Sequence, residues 1–186
     1  MLLALKNIHI SNYFKQFIVA PRATGSILPS SKTLCLAMLD NVEWQTHKHF
    51  LELGAGNGVL TKEILSRMRS DATLVVYEIR EEFVKELKAI DDPRLIVKNY
   101  SAEYLDGNYD IVFSSLPLVS LPTKVSLRIL KRCLDSLSGR QSTFVQFHYS
   151  PFAEKLLSRY FLWTKKLVVK NVPPAFVYHC RPNYLS

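Results

Sequence analysis

This sequence predicts an α/β domain with a seven-stranded, mostly parallel sheet and helices on both faces, and three observations support that reading. Short β-rich apolar runs alternate with amphipathic stretches from residue 49 onward, and neighbouring parallel strands need a crossover helix between them. Three glycines, Gly54, Gly56 and Gly58, fall where the first strand gives way to a helix, the junction at which α/β sheets approach their ligands. The 186 residues, 48% of them hydrophobic, are enough for one well-buried core and too few for two ordinary domains.

Along the chain, Ile10, Tyr13, Phe14, Phe17 and Ile18 recur at helical spacing beside Asn12, Lys15 and Gln16, which predicts a short amphipathic helix. Leu2, Leu3, Leu5 and Ile8 extend its apolar face. After a break at Pro21 and Gly25, Ser30 and Ser31 offer an N-cap to a helix carrying Leu34, Met38, Leu39 and Val42. Strands are then expected at 49–53, 73–79, 94–100, 109–115 and 143–149. Helical stripes lie between them at Leu60, Ile64, Leu65 and Met68, at Phe83, Val84, Leu87 and Ile90, and at Leu127, Leu130, Leu134 and Leu137. Pro151 opens a helix through Leu157, and two short strands at 167–172 and 175–180 close the sheet. We expect a single domain over residues 1–186, with 1–30 a basic amphipathic segment and 31–186 the core.

Charge is unevenly spread along the chain. The net charge is +8, no acid precedes Asp40, and from Arg140 onward seven Lys and Arg face the single acid Glu154. Basic ends around a mildly acidic middle favour a polyanionic partner, either nucleic acid or an anionic membrane surface. Cys35, Cys133 and Cys180 have neither disulfide-framework nor metal-ligand spacing, so no metal site is expected and a reducing cytoplasm fits. No apolar run is long enough to span a bilayer or resemble a signal peptide. No obligate protein partner is evident.

The chemistry is concentrated at strand ends. Glu52-Leu53-Gly54-Ala55-Gly56-Asn57-Gly58 has G-x-G-x-G spacing after an acid, where absent Cβ atoms let backbone meet a ligand. This departs from the dinucleotide fingerprint and favours S-adenosylmethionine, released as S-adenosylhomocysteine, over NAD. Glu78, followed by Ile79, ends the second strand twenty residues after Gly58, where a carboxylate accepts from ribose hydroxyls. Ser101-Ala102, after the third strand, falls where an adenine would sit, so Ser101, the backbone or Glu103 takes the amino group. Ser114-Ser115-Leu116-Pro117-Leu118 ends the fourth strand next to the glycine turn, placing Ser115 where an acceptor meets the sulfonium and Ser114 and Leu116 beside the cofactor.

These segments, with Pro21 to Ser31, Val145 to Pro151 and Asn171 to Tyr178, resemble the bacterial phospholipid N-methyltransferases. These are Rossmann-like class I methyltransferases related to ribosomal RNA adenine dimethyltransferases. The resemblance implies S-adenosylmethionine as cofactor, phosphatidylethanolamine or its methylated forms as acceptor, and N-terminal docking on anionic lipid from the cytoplasmic side. The chain departs from that pattern at Ser101 (usually acidic), Ser115 (usually glycine) and His148-Tyr149-Ser150 (usually threonine-tyrosine-glycine). The RNA relatives carry Asn-(Leu/Ile)-Pro-(Tyr/Phe), where this chain has Ser115 and Leu118, which argues against a nucleobase acceptor. Tyr149 and Tyr178 are the expected catalytic aromatics, ring faces for a cationic headgroup with hydroxyls for phosphate or amine. His148 is read first as a structural strand residue. RNA methylation, another small amine as acceptor, and a fold without cofactor binding are the rival expectations.

Overall fold

The computed structural model describes residues 32–139 and 141–183; the amphipathic helix expected at 10–18, like all of residues 1–31, lies outside them. The helices are α1 (Lys32–Leu39), α2 (Val59–Leu65), α3 (Glu81–Lys88), α4 (Thr123–Ser136) and α5 (Glu154–Leu157). The strands are β1 (His49–Leu53), β2 (Thr73–Tyr77), β3 (Leu95–Lys98), β4 (Ile111–Ser114), β5 (Thr143–His148), β6 (Phe161–Val168) and β7 (Ala175–Pro182). Short 3-10 turns at Ala102–Tyr104 and Pro151–Ala153 complete the described elements.

All seven strands form one sheet in the order β3-β2-β1-β4-β5-β7-β6. Pairing is parallel from β3 to β5, and β7 runs antiparallel to both β5 and β6. The period-two alternation of strand side chains assigns them to two cores. Phe50, Ile111, Phe113, Val145 and Val177 pack with α1, α2 and α3 residues such as Met38, Ile64 and Leu87 on one face. Leu51, Leu53, Val112, Phe144 and Tyr178 pack with Ile129, Leu130 and Cys133 of α4 on the other. Each large side chain buried in this way contributes about 1.5–3 kcal/mol.

The last strands depart from the sequence expectation. The sixth strand was expected at 167–172, whereas β6 starts at Phe161 and ends at Val168. Its interior, Leu162 to Leu167, is mostly exposed and only its two ends are buried, so an edge strand with one partner shows no alternating pattern to read. Val42 also falls beyond the end of α1 and packs from the following loop.

The chain switches direction between β1 and β4, since β2 and β3 build outward on one side of β1 and β4 starts the other. The register aligns Leu53 with both Tyr77 and Ser114, bringing the loops that follow β1, β2 and β4 to one edge of the sheet. Such switch points are where open α/β sheets bind ligands.

Candidate active site

The glycine turn is the floor of the site. Gly54, Gly56 and Gly58 have φ of 74°, 54° and 76°, the left-handed region that costs L-residues about 1–2 kcal/mol. A Cβ at Gly54 would lie 2.7 Å from Cδ2 of Leu116, so backbone and β4 loop meet with no room for a side chain. The Gly54 N–H donates to Tyr77 O at 2.8 Å and the Ser115 N–H to Leu53 O at 2.9 Å, clamping the turn between its neighbours.

Glu78 stands at the centre. Its Oε1 accepts from the Ile79 and Arg80 N–H groups at 2.9 and 3.0 Å, and Oε2 from the Gly56 N–H at 2.9 Å. Three backbone donors therefore fix this carboxylate against the glycine turn. Since each oxygen accepts about two hydrogen bonds, this rotamer leaves one acceptor place open, on Oε2.

Two cavities meet here. A narrow slot of about 20 Å³ is lined by Gly54, Glu78, Ile79, Ser101, Ala102 and Leu116, among others, where adenine was expected. A larger cavity of about 440 Å³ shares Gly54, Glu78 and Leu116 with it and extends to Ser115, Phe147, His148, Tyr149 and Phe152. Ser101 Oγ accepts from the Glu103 N–H at 3.3 Å. Glu103 does not line the slot, and its Oε1 accepts from Arg128 at 2.6 Å. Ser114 Oγ accepts the Leu116 N–H at 3.4 Å.

Two expected site residues lie elsewhere. Glu52 is fully buried and lines neither cavity. It sits on the α2 side of β1, where Oε2 accepts from the Thr61 hydroxyl at 2.6 Å and Oε1 has no partner among the described residues. Burial pushes its carboxyl up to about 8. Tyr178 is fully buried opposite Gln146 and does not line the cavity. Its hydroxyl donates to Glu154 Oε1 at 3.2 Å and its ring meets Trp163 edge-on. Because β7 is antiparallel, its first residues are the ones nearest the site, and Tyr178 lies one pleat below.

Tyr149 does line the cavity, half-exposed, with its ring edge-on to Phe147 at 5.5 Å. His148 was read as structural from sequence, yet it lines the same cavity. It is 4% exposed and its Nε2 has no partner among the described residues. Burial drives its pKa down to about 4, so at neutral pH the imidazole is uncharged and keeps a lone pair. Gln146, one pleat back on the same face, ties the β4 loop by donating to Leu116 O at 3.0 Å. The period-two pattern of β5 was the signal that puts His148 beside Gln146 on the site face. Arg80, stacked 3.7 Å over Phe83, and Phe152 are cavity residues with no sequence signal of their own.

The sheet order, the switch-point glycine turn and the carboxylate at the end of β2 define a class I methyltransferase, which draws on S-adenosylmethionine. The chain belongs to the ribosomal RNA adenine dimethylase family, whose sequence model matches residues 24–170. An ornithine lipid N-methyltransferase of Singulisphaera acidiphila is 28% identical over 185 residues, covering 91% of this chain and 94% of that protein. Among solved structures, the 1,6-didemethyltoxoflavin-N1-methyltransferase of Burkholderia thailandensis superposes with a TM-score of 0.71 at 13% identity, covering 94% of this chain and 89% of that one. The N-methyltransferase NodS of Bradyrhizobium japonicum, in complex with S-adenosylhomocysteine, gives 0.70 at 9% identity, covering 84% and 89%. These two share the fold.

Proposed function

We propose that this chain moves a methyl group from S-adenosylmethionine to the primary amine of a membrane lipid, phosphatidylethanolamine or a related amino lipid such as ornithine lipid. The observation that carries this reading is the larger cavity, which is continuous with the glycine turn, walled by Phe147, Tyr149 and Phe152, and lined by the imidazole of His148. The matched lipid methyltransferase supports it. At the positions where RNA relatives carry an amide and a ring, this chain has Ser115 and Leu118, and Leu118 is fully buried, leaving no stacking face there for a base.

The residues present suit the cofactor. Gly54 lines both cavities, a Cβ at Gly56 would meet nothing closer than 3.9 Å, Glu78 Oε2 has capacity for a hydroxyl, and Ile79, Ala102 and Leu116 are the apolar walls between which a flat base would be held as the slot widens. When bound, the cofactor supplies a methyl group on a cationic sulfur, and transfer is an in-line displacement in which the protein positions the reactants and excludes water.

The protein must also expose the amine lone pair. An alkyl ammonium has a pKa near ~10, so with His148 at about 4 the gap is about six units, or ~8 kcal/mol against proton transfer to that imidazole. His148 therefore acts as a hydrogen-bond acceptor in the cavity wall: its uncharged imidazole takes one N–H of the amine and turns the amine lone pair toward the methyl group. The ammonium proton passes to solvent water before attack, helped by the apolar wall that disfavours the charged form, and the free amine that remains is the nucleophile. Tyr149 and Phe147 present ring faces to the cationic methylated product. Residues 1–30, basic and amphipathic in sequence, are assigned to docking on anionic lipid from the cytoplasmic side.

The test is transfer of labelled methyl to vesicles of phosphatidylethanolamine or ornithine lipid containing anionic lipid. Methylated lipid amine is the expected product. The family match favours a second reading, RNA adenine methylation, and label appearing on ribosomal RNA adenines and on neither lipid overturns the lipid reading.

A further inference from the structure

Next to the cavity lies a groove of about 640 Å³ between the first turns of α4 and the segment 152–159. Leu118, Leu121, Leu127 and Leu156 form its floor, and Val119 and Phe152 line both groove and cavity. Phe152 is 79% exposed, an unusual position for a phenyl ring in water, and it stands where the two spaces join. Lys155 and Arg159 border the groove, no acidic side chain lines it, and neither cation makes an ion pair among the described residues. Glu154, the nearest acid in sequence, is turned the other way toward Lys165 and Tyr178.

We propose that this groove seats an acyl chain of the lipid substrate, with Lys155 and Arg159 meeting the anionic group next to the chain and the amine reaching His148 past Phe152. This inference rests on the lipid reading above. An apolar trough with a cationic border, opening directly into the cavity, matches an amphiphile with a chain, an anionic linker and an amine in that order. A nucleic acid would use the cations but leave the leucine floor unmatched. The step itself is the same methyl transfer, and the groove only raises occupancy and alignment.

The experiment measures kcat/KM on the full chain for phosphoethanolamine and for phosphatidylethanolamines with progressively longer chains, each kept below its micelle concentration. Seating a methylene is worth about fourfold, so kcat/KM should climb steeply with chain length. The exposed change Arg159→Glu should raise KM about fivefold, the effect of one charge contact. Leu127→Lys should flatten the chain-length series, whereas Leu127→Met keeps it, which separates lost contact from lost folding. A lipid carrying a diazirine at the chain end should label segments 118–127 and 152–159.

A lipid that is methylated with no chain-length dependence, or label found only outside those segments, overturns the groove and leaves the lipid reading standing. Label confined to residues 1–31 does the same and makes that segment the acyl contact. No transfer to any lipid amine overturns both.

Discussion

Glu52 offers a direct test of how burial governs this fold. It is fully buried beneath the glycine turn with one oxygen unpaired, and its carboxyl is raised from the ordinary 4.5 to about 8, first by desolvation and then by Glu78, against the Thr61 hydrogen bond. In the unfolded chain the group ionises at its ordinary value, so between these limits the folded state holds a proton that the unfolded state has released. The contribution of Glu52 to stability is therefore complete below pH ~4.5 and falls by about 1.4 kcal/mol per unit as pH rises, levelling near pH 8. The full span is on the order of 5 kcal/mol, a large part of the stability of a domain of this size.

Glu52→Gln removes the ionisation and keeps the shape. Urea unfolding of both proteins at pH 5, 7 and 9 should show similar stability at pH 5, the variant ahead by about 3 kcal/mol at pH 7, and the gap widest at pH 9. A difference between wild type and variant that does not change with pH, or one that shrinks as pH rises to 8, would refute the reasoning. Either result would mean that Glu52 is ionised in the folded protein.

Other predictions concern the site. His148→Leu should lower kcat about tenfold, the worth of one hydrogen bond, with S-adenosylhomocysteine binding retained by calorimetry, and His148→Asn, which keeps an acceptor, should recover part of it; equal loss in both variants would remove the acceptor role. Because burial lowers the His148 pKa to about 4, protonation opposes folding. The His148 contribution to stability should thus be lost as pH drops from ~6.5 toward 4, and because Glu52 acts in the opposite sense over the same range it is read as the pH-dependent difference between wild type and His148→Leu. Tyr178→Phe should cost ~1 kcal/mol in thermal or urea unfolding through the lost Glu154 bond and leave methyl transfer intact; a large fall in kcat would restore Tyr178 to the site. Gly54→Ala, strained at φ 74° and crowding Leu116, should weaken S-adenosylhomocysteine binding measured by calorimetry.

The sheet from β1 to β5 was legible because buried parallel strands read as apolar runs and their helices as 3.6-residue stripes. The placement of Gly54 to Gly58, Glu78 and Ser114 to Leu116 around the candidate site was legible for a related reason: they sit at strand ends, and in this topology the cavities open at the strand ends. Glu52 misled because an acid before a glycine turn looks equally functional on either face of its strand, and the pleat turns this one into the α2 side. Tyr178 misled because sequence does not reveal that its strand is antiparallel, which carries the residue away from the site edge. Phe152 and the neighbouring groove depend on how a 3-10 turn meets the first turns of α4, a tertiary meeting that no local pattern encodes.

The strand order also bears on how the protein can be made. β6 touches only β7 within the sheet, and β7 is the later of the two in the chain. During synthesis, β5 can complete the parallel half while its outer edge stays bare and β6 has nothing to pair with. Both unpaired edges are closed at once when β7 slides between them. Until then the nascent chain presents two open strand edges, the kind of surface that recruits neighbouring chains. A stop at residue 174 should therefore yield an aggregating product, not a merely shortened enzyme, and Lys165 and Lys166 on β6 are the charges that discourage such pairing in the meantime.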